Sequence, residues 1–221
     1  VTAPCPAPPL WRRRLALTAR GFAASISVAA RVALASMRLA GQRRQAVRGG
    51  ACLLVYGHPA STAMGHDAYF GPLMGEMPAL GRALHVDCGV AKARELAADG
   101  RSFSLHAFGG PWFAATLPFV RWRPPSFLKV HPLVWLLRRA RDLEGGTGTA
   151  AMIRWQLHCQ ARWLRRCVPR VVAWPWENHG WERGLVRTAR SLGVSTLGYQ
   201  HSVVGDQLNI SARGLADPAC G

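Results

Sequence analysis

From residue 51 onward, short apolar runs alternate with longer stretches in which apolar residues recur every three or four positions, and this predicts strands and helices in turn. Strands are expected at 51–56, 84–88, 102–108, 171–173 and 194–199, and helices at 70–82, 91–98, 133–143, 149–167 and 181–192. In the last helix Leu185, Val186 and Ala189 keep helical spacing, and Gly193 is placed to end it. Trp135, Trp155 and Trp163 share that spacing with leucines, which predicts core packing. The run 111–132 is rich in proline and tryptophan and reads as an irregular connection. Strands alternating with helices argue for an α/β, Rossmann-like fold: a parallel sheet with helices on both faces.

This pattern fixes where chemistry would gather. A strand, helix and strand spanning 171–199 form a βαβ unit, whose ligands collect beyond the carboxyl ends of the strands. Glu177, Asn178, His179 and Glu182 follow the first of these strands, and Gln200 and His201 follow the second. Glu182, and to a lesser degree Glu177, has a plainer role open to it, since an acidic side chain in a first turn meets the partial positive charge of a helix N-terminus. Trp174, Trp176 and Trp181 can likewise serve only to cover the sheet end. Hemmed in by aromatics and glycines, Glu177 is a candidate base and His201 a candidate stabiliser of developing charge. The strand at 51–56 leads into a long polar loop carrying His58, His66, Asp67 and Tyr69. His58 and Asp67 are the candidates there for binding an acceptor or a phosphate. A metal site is not expected, because the histidines lack helical ligand spacing and a clustered third ligand.

Composition narrows the classes. With 221 residues, 49% hydrophobic and 18% charged, one sizeable core can be buried. The net charge of +17 rests on arginine, since Lys92 and Lys129 are the only lysines. Such a surface favours anionic partners, although an arginine, alanine and glycine bias also arises without selection for binding. Nucleic acid is not the expected partner, because no finger, basic heptad helix or aromatic RNA-binding strand is present. Dinucleotide, P-loop and nucleophile-elbow motifs are absent as well, against an oxidoreductase, an NTPase or a serine hydrolase. Cys5, Cys52, Cys88, Cys159, Cys167 and Cys220 form no C-x-x-C pair, so a reduced, cytoplasmic protein is expected, with Cys52 and Cys88 as buried apolar side chains. Before residue 49 lies a basic region. Pro4, Pro6, Pro8 and Pro9 keep its start from being helical, and Arg20 and Arg31 interrupt the apolar run that follows. A helix there packs on the domain, extends from it, or lies on an anionic leaflet.

The segments PWENHGWER and GYQHSVVG, with a weaker echo in YGHPASTAMGHDAYFGPL, resemble bacterial surface or capsular polysaccharide biosynthesis proteins. Those proteins are related to glycosyltransferases with two Rossmann-like domains. The resemblance implies the first half of a GT-B-like architecture: a basic tail and helix over 1–48, a Rossmann-like domain over 49–209, and over 210–221 a C-terminal tail or a truncated linker to a second domain, which a partner chain could also supply. It also implies transfer of a sugar from a nucleotide-activated donor to a glycan or lipid-linked acceptor, at the inner face of the bacterial membrane. Glu177 or Glu182 would be the base, Asn178 and Gln200 would orient hydroxyls, and His201 would meet phosphate or leaving-group charge. No metal or other cofactor is demanded. The alternative expectation is a non-catalytic Rossmann-like scaffold domain in a polysaccharide-assembly complex.

Overall fold

The computed structural model describes residues 10–120 and 134–200. Five strands, β1 (Ala51–Val55), β2 (Gly81–Leu84), β3 (Ser102–Ser104), β4 (Val171–Pro175) and β5 (Ser195–Tyr199), form one sheet in the order β3-β2-β1-β4-β5. Every pairing is parallel, with Cys52 opposite Gly81 and Val172, and Val172 opposite Thr196. The order runs outward from β1 to β3 on one side and from β4 to β5 on the other. The direction of winding therefore reverses between β1 and β4, which is where a doubly wound sheet opens a crevice.

Among the described residues there are seven α-helices: α1 (Leu10–Leu39), α2 (Leu73–Glu76), α3 (Val90–Leu96), α4 (Pro111–Thr116), α5 (Val134–Glu144), α6 (Gly148–Cys167) and α7 (Gly180–Ser191). Successive residues of a strand point to opposite faces, and β1 shows what each face meets. Cys52 and Leu54 join a cluster with Trp155, Trp163 and Leu164 of α6 and with Leu185 and Ala189 of α7. Leu53 and Val55 join the other cluster, with Met74, Ala93 and Leu96. Both faces are thus dry: β1 to β4 are buried over most of their length, and β1 and β4 read as near-continuous apolar runs. β5 is the exposed exception.

The expected α/β alternation is present, with several elements displaced. Only the single turn α2 forms within the expected helix 70–82: Gly71 is left-handed at φ 58°, Pro72 precedes the turn, and Pro78 follows it. The strand expected at 84–88 lies at Gly81–Leu84, so Arg82 is inside the sheet and fully buried. Its guanidinium donates to Ser102 Oγ at 2.7 Å and pairs with Asp99 at 3.1 Å, which makes a strand interior acceptable to a charge. β3 stops at Ser104, whose hydroxyl accepts from the His106 N–H and turns the chain into a 3-10 helix, Leu105–Phe108. Part of the expected irregular run 111–132 is α4, opened by Pro111 at a position where a missing N–H costs nothing; 121–133 lie outside the described residues. Trp155 and Trp163 are buried as expected, whereas Trp135 is 59% exposed on α5. Cys52, Cys88, Cys159 and Cys167 are free and buried.

The amino-terminal helix packs on the domain. Val28, Ala29 and Val32 belong to one core cluster and Leu39 to the other. Leu15–Gln45 is long and apolar enough to cross a bilayer by length and composition, yet a spanning placement would withdraw these side chains from the core.

Candidate functional site

The crevice expected at the switch point is present as an open cavity of about 450 Å³ beyond the ends of β1, β2 and β4. Tyr56 and His58 come from the loop after β1, Tyr69 from further along it, Asp87 from the loop after β2, and Glu177 and His179 from the loop after β4. The β1 and β2 loops touch so closely that a Cβ on Gly57 would lie 2.3 Å from Cys88 Sγ and 3.0 Å from its Cα. Glycine is therefore the residue that lets the backbone after β1 settle against the β2 loop.

Each wall is built locally. Glu182, buried in the first turn of α7, accepts through Oε1 from the N–H groups of Glu177 at 3.0 Å and His179 at 3.1 Å. One carboxylate thereby caps the helix and fixes the loop before it. Between the two donors Asn178 takes a left-handed φ of 58°, a conformation asparagine tolerates. This turn brings Glu177 Oε2 to 3.0 Å from His179 Nε2 at the cavity mouth. Beside them, burial and then the Glu177 carboxylate raise the Tyr56 phenol above its ordinary range, so it stays protonated.

A second histidine lies beneath. His85 Nδ1 is 3.0 Å from Asp87 Oδ1, and its ring packs between Tyr56 and Trp181 with centroids 4.8 and 4.9 Å away. Its Nε2 is buried without a hydrogen-bond partner among the described residues, and so is Glu182 Oε2. A buried polar atom left unpaired is costly, and neither residue is among those that line the cavity.

The residues expected from sequence divide three ways. Glu177 and His58 line the cavity, with His58 Nδ1 accepting from the Ala60 N–H at 3.1 Å. Asn178 shapes it from within the β4 loop and Glu182 from the first turn of α7. Asp67 does not line it: fully buried, it pairs with Arg82 at 3.6 Å and accepts from Ser61 Oγ and from the Tyr69 and Phe70 N–H groups. It organises the β1 loop and so positions Tyr69. Gln200 follows β5, whose Tyr199 carbonyl accepts from the Trp176 N–H at 2.8 Å, so it sits beside the Glu177 loop and outside the cavity lining. His201 lies outside the described residues.

Tyr56, His85 and Asp87 were missed. The displaced β2 explains the last two: a strand drawn to residue 88 hides them in the sheet, whereas ending it at Leu84 puts HVDC at the strand end. The cavity can thus transfer protons through Glu177 and the imidazoles, and hold hydroxyls through Tyr56, Tyr69 and Asp87. No lysine or arginine is among the described residues that line it, and among the described residues no group of three His, Cys, Asp or Glu side chains can hold a metal ion. Compared with known proteins, the chain matches no family model, no curated protein and no solved structure.

Proposed function

We propose that this chain is the acceptor-side, Rossmann-like domain of a glycosyltransferase of surface polysaccharide assembly, with Glu177 as its base. The observation that carries this reading is the Glu177 carboxylate, set at the switch-point cavity by Glu182 and held 3.0 Å from His179. In the proposed step the acceptor hydroxyl gives its proton to Glu177 while its oxygen bonds to the anomeric carbon of the donor sugar. The bond from that carbon to the nucleotide phosphate breaks, and its electron pair leaves on the phosphate oxygen. His179 orients the carboxylate, and Tyr56, as a neutral donor, helps hold the acceptor. The donor nucleotide is held by a second domain or a partner chain, and His201 meets its phosphate. A lipid-linked acceptor places the protein at the inner face of the membrane; exposed Leu15, Leu17 and Ile26 on α1 suit that position.

The test is a transfer assay with a panel of CMP, UDP and GDP sugars and glycan acceptors, accompanied by thermal-shift measurements. Glu177→Gln is expected to lower transfer by about a hundredfold or more with the fold unchanged. Full activity in that variant would remove Glu177 from the reaction. A second reading, a glycan-binding scaffold without catalysis, is favoured by the lack of any guanidinium among the described residues that line the cavity to receive a donor diphosphate. It predicts glycan binding that Glu177→Gln weakens, with no transfer from any donor.

A further inference from the structure

Away from the switch-point cavity, and sharing no residue with it, a second cavity of about 320 Å³ is walled by Arg43, Arg162, Arg165 and Arg166 over Phe108. Arg162, Arg165 and Arg166 stand three and four positions apart and therefore project from one side of α6. Arg43 comes from a different element, the 3-10 helix Ala40–Gln45 that follows α1. The Arg43 Nε–H donates to the Ala107 carbonyl and the Arg162 Nη1–H to the Gly109 carbonyl. Two guanidiniums from different elements are thus tied to carbonyls two residues apart, which restrains them before any ligand arrives.

None of the four forms an ion pair with a carboxylate among the described residues, although Arg82, Lys92 and Arg141 elsewhere all do. The dipole of α6 accounts for basic residues in its last turn, such as Arg165 and Arg166. It does not account for Arg43, brought to the same cavity from outside the helix. The uncompensated charge reaches its neighbours: burial and then Arg162 and Arg165 lower His158, one turn back along α6, to about 4.

We infer that this cavity is a binding site for a phosphate or diphosphate group. Guanidiniums are planar donors that grip phosphate oxygens in pairs, and four of them without a carboxylate match a multiply charged oxyanion better than a single carboxylate. The same chemistry is offered by a free phosphorylated small molecule and by a phosphomonoester headgroup in a membrane. This inference stands whether or not the switch-point cavity transfers sugars.

The experiment uses the whole chain in two arms at fixed ionic strength. Calorimetry measures binding of inorganic phosphate and pyrophosphate. Co-sedimentation measures binding to phosphatidylcholine vesicles with and without phosphatidic acid. Arg165→Gln with Arg166→Gln is the test variant, because both side chains are exposed and make no backbone hydrogen bond that the fold needs. Arg187→Gln with Arg190→Gln, exposed on α7, removes equal charge elsewhere. Pyrophosphate binding that is about tenfold weaker in the α6 pair and unchanged in the α7 pair supports the site with a soluble ligand. The same pattern seen only with phosphatidic acid vesicles supports it with a headgroup. Absence of binding in both arms, or equal loss in the two variants, overturns it. Arg162→Ala provides an independent check, since it should abolish whichever binding the α6 pair weakens.

Discussion

His106 is held neutral by burial, and its hydrogen bonds fix which ring nitrogen carries the proton. Its Nε2–H donates to the Val86 carbonyl at 2.8 Å, and its Nδ1 accepts from the Trp155 indole N–H at 2.9 Å. A second proton would go on Nδ1, where it would face a donor with nothing to accept it. Burial, the largest cause, with further contributions from His85 and Arg31 against those of Val86 and Asp87, lowers the group to about 4. The unfolded chain has an ordinary imidazole near 6.5, so between these values it binds more protons than the folded chain. Stability therefore falls as pH drops from about 6.5 to about 4, by roughly 3 kcal/mol from this residue, and is level above that window. Urea unfolding at about pH 7 and about pH 5 should show the loss, and His106→Gln should remove this residue's share, leaving the share of His158, which burial also lowers to about 4. An unchanged slope in that variant would place the titration elsewhere.

At the level of elements, the β4 loop and α7 behave as one piece because Glu182 Oε1 binds two N–H groups ahead of the helix. Glu182→Ala should cost about 2 kcal/mol in chemical denaturation, from the lost cap and the two donors left without it. Glu177→Gln, at the solvent-facing end of the same loop, should stay within about 0.5 kcal/mol. Equal effects would mean that both carboxylates serve the fold alone. The βαβ unit was legible because β4, α7 and Gly193 each carry a local signal: an apolar strand, a 3.6-residue stripe and a left-handed stop at φ 69°. The segment between β1 and β2 was not, because it is held by tertiary pairing and not by periodicity. Arg82 looks like the polar end of a helix until Asp67 and Asp99, distant in sequence, are seen to neutralise it. The same misplacement hid His85 and Asp87, so what the β2 loop brings to the cavity and to the ring stack beside it depended on one strand boundary.

At the scale of the whole molecule, the amino-terminal helix contributes side chains to both core clusters. Its charge pattern left packing, extension and membrane contact all open, since Arg20 and Arg31 punctuate an otherwise apolar run; only the packed structure separates its buried half from its exposed half. Val28, Val32 and Leu39 are 6%, 1% and 1% exposed, whereas Leu15 and Leu17 are 64% and 46% exposed. Burying the three large side chains contributes about 5–8 kcal/mol, comparable with the entire stability of a domain this size. Near its middle the helix is fixed to the turn before α6: Ser25 Oγ lies 2.8 Å from the Gly21 carbonyl and 3.2 Å from that of Gly146, and a Cβ on Gly21 would lie 2.7 Å from the Gly146 oxygen. A chain beginning at residue 20 keeps all these contacts and should unfold cooperatively, losing little stability. A chain beginning at residue 41 uncovers α4, α6 and the 3-10 helix Leu105–Phe108, against which α1 packs, and should lose its near-ultraviolet circular dichroism and its cooperative transition while keeping part of its helical signal, as a loosened core does. Cooperative unfolding of that shorter chain would show that α1 is an appendage, and the two clusters around β1 would then have to be stable without it.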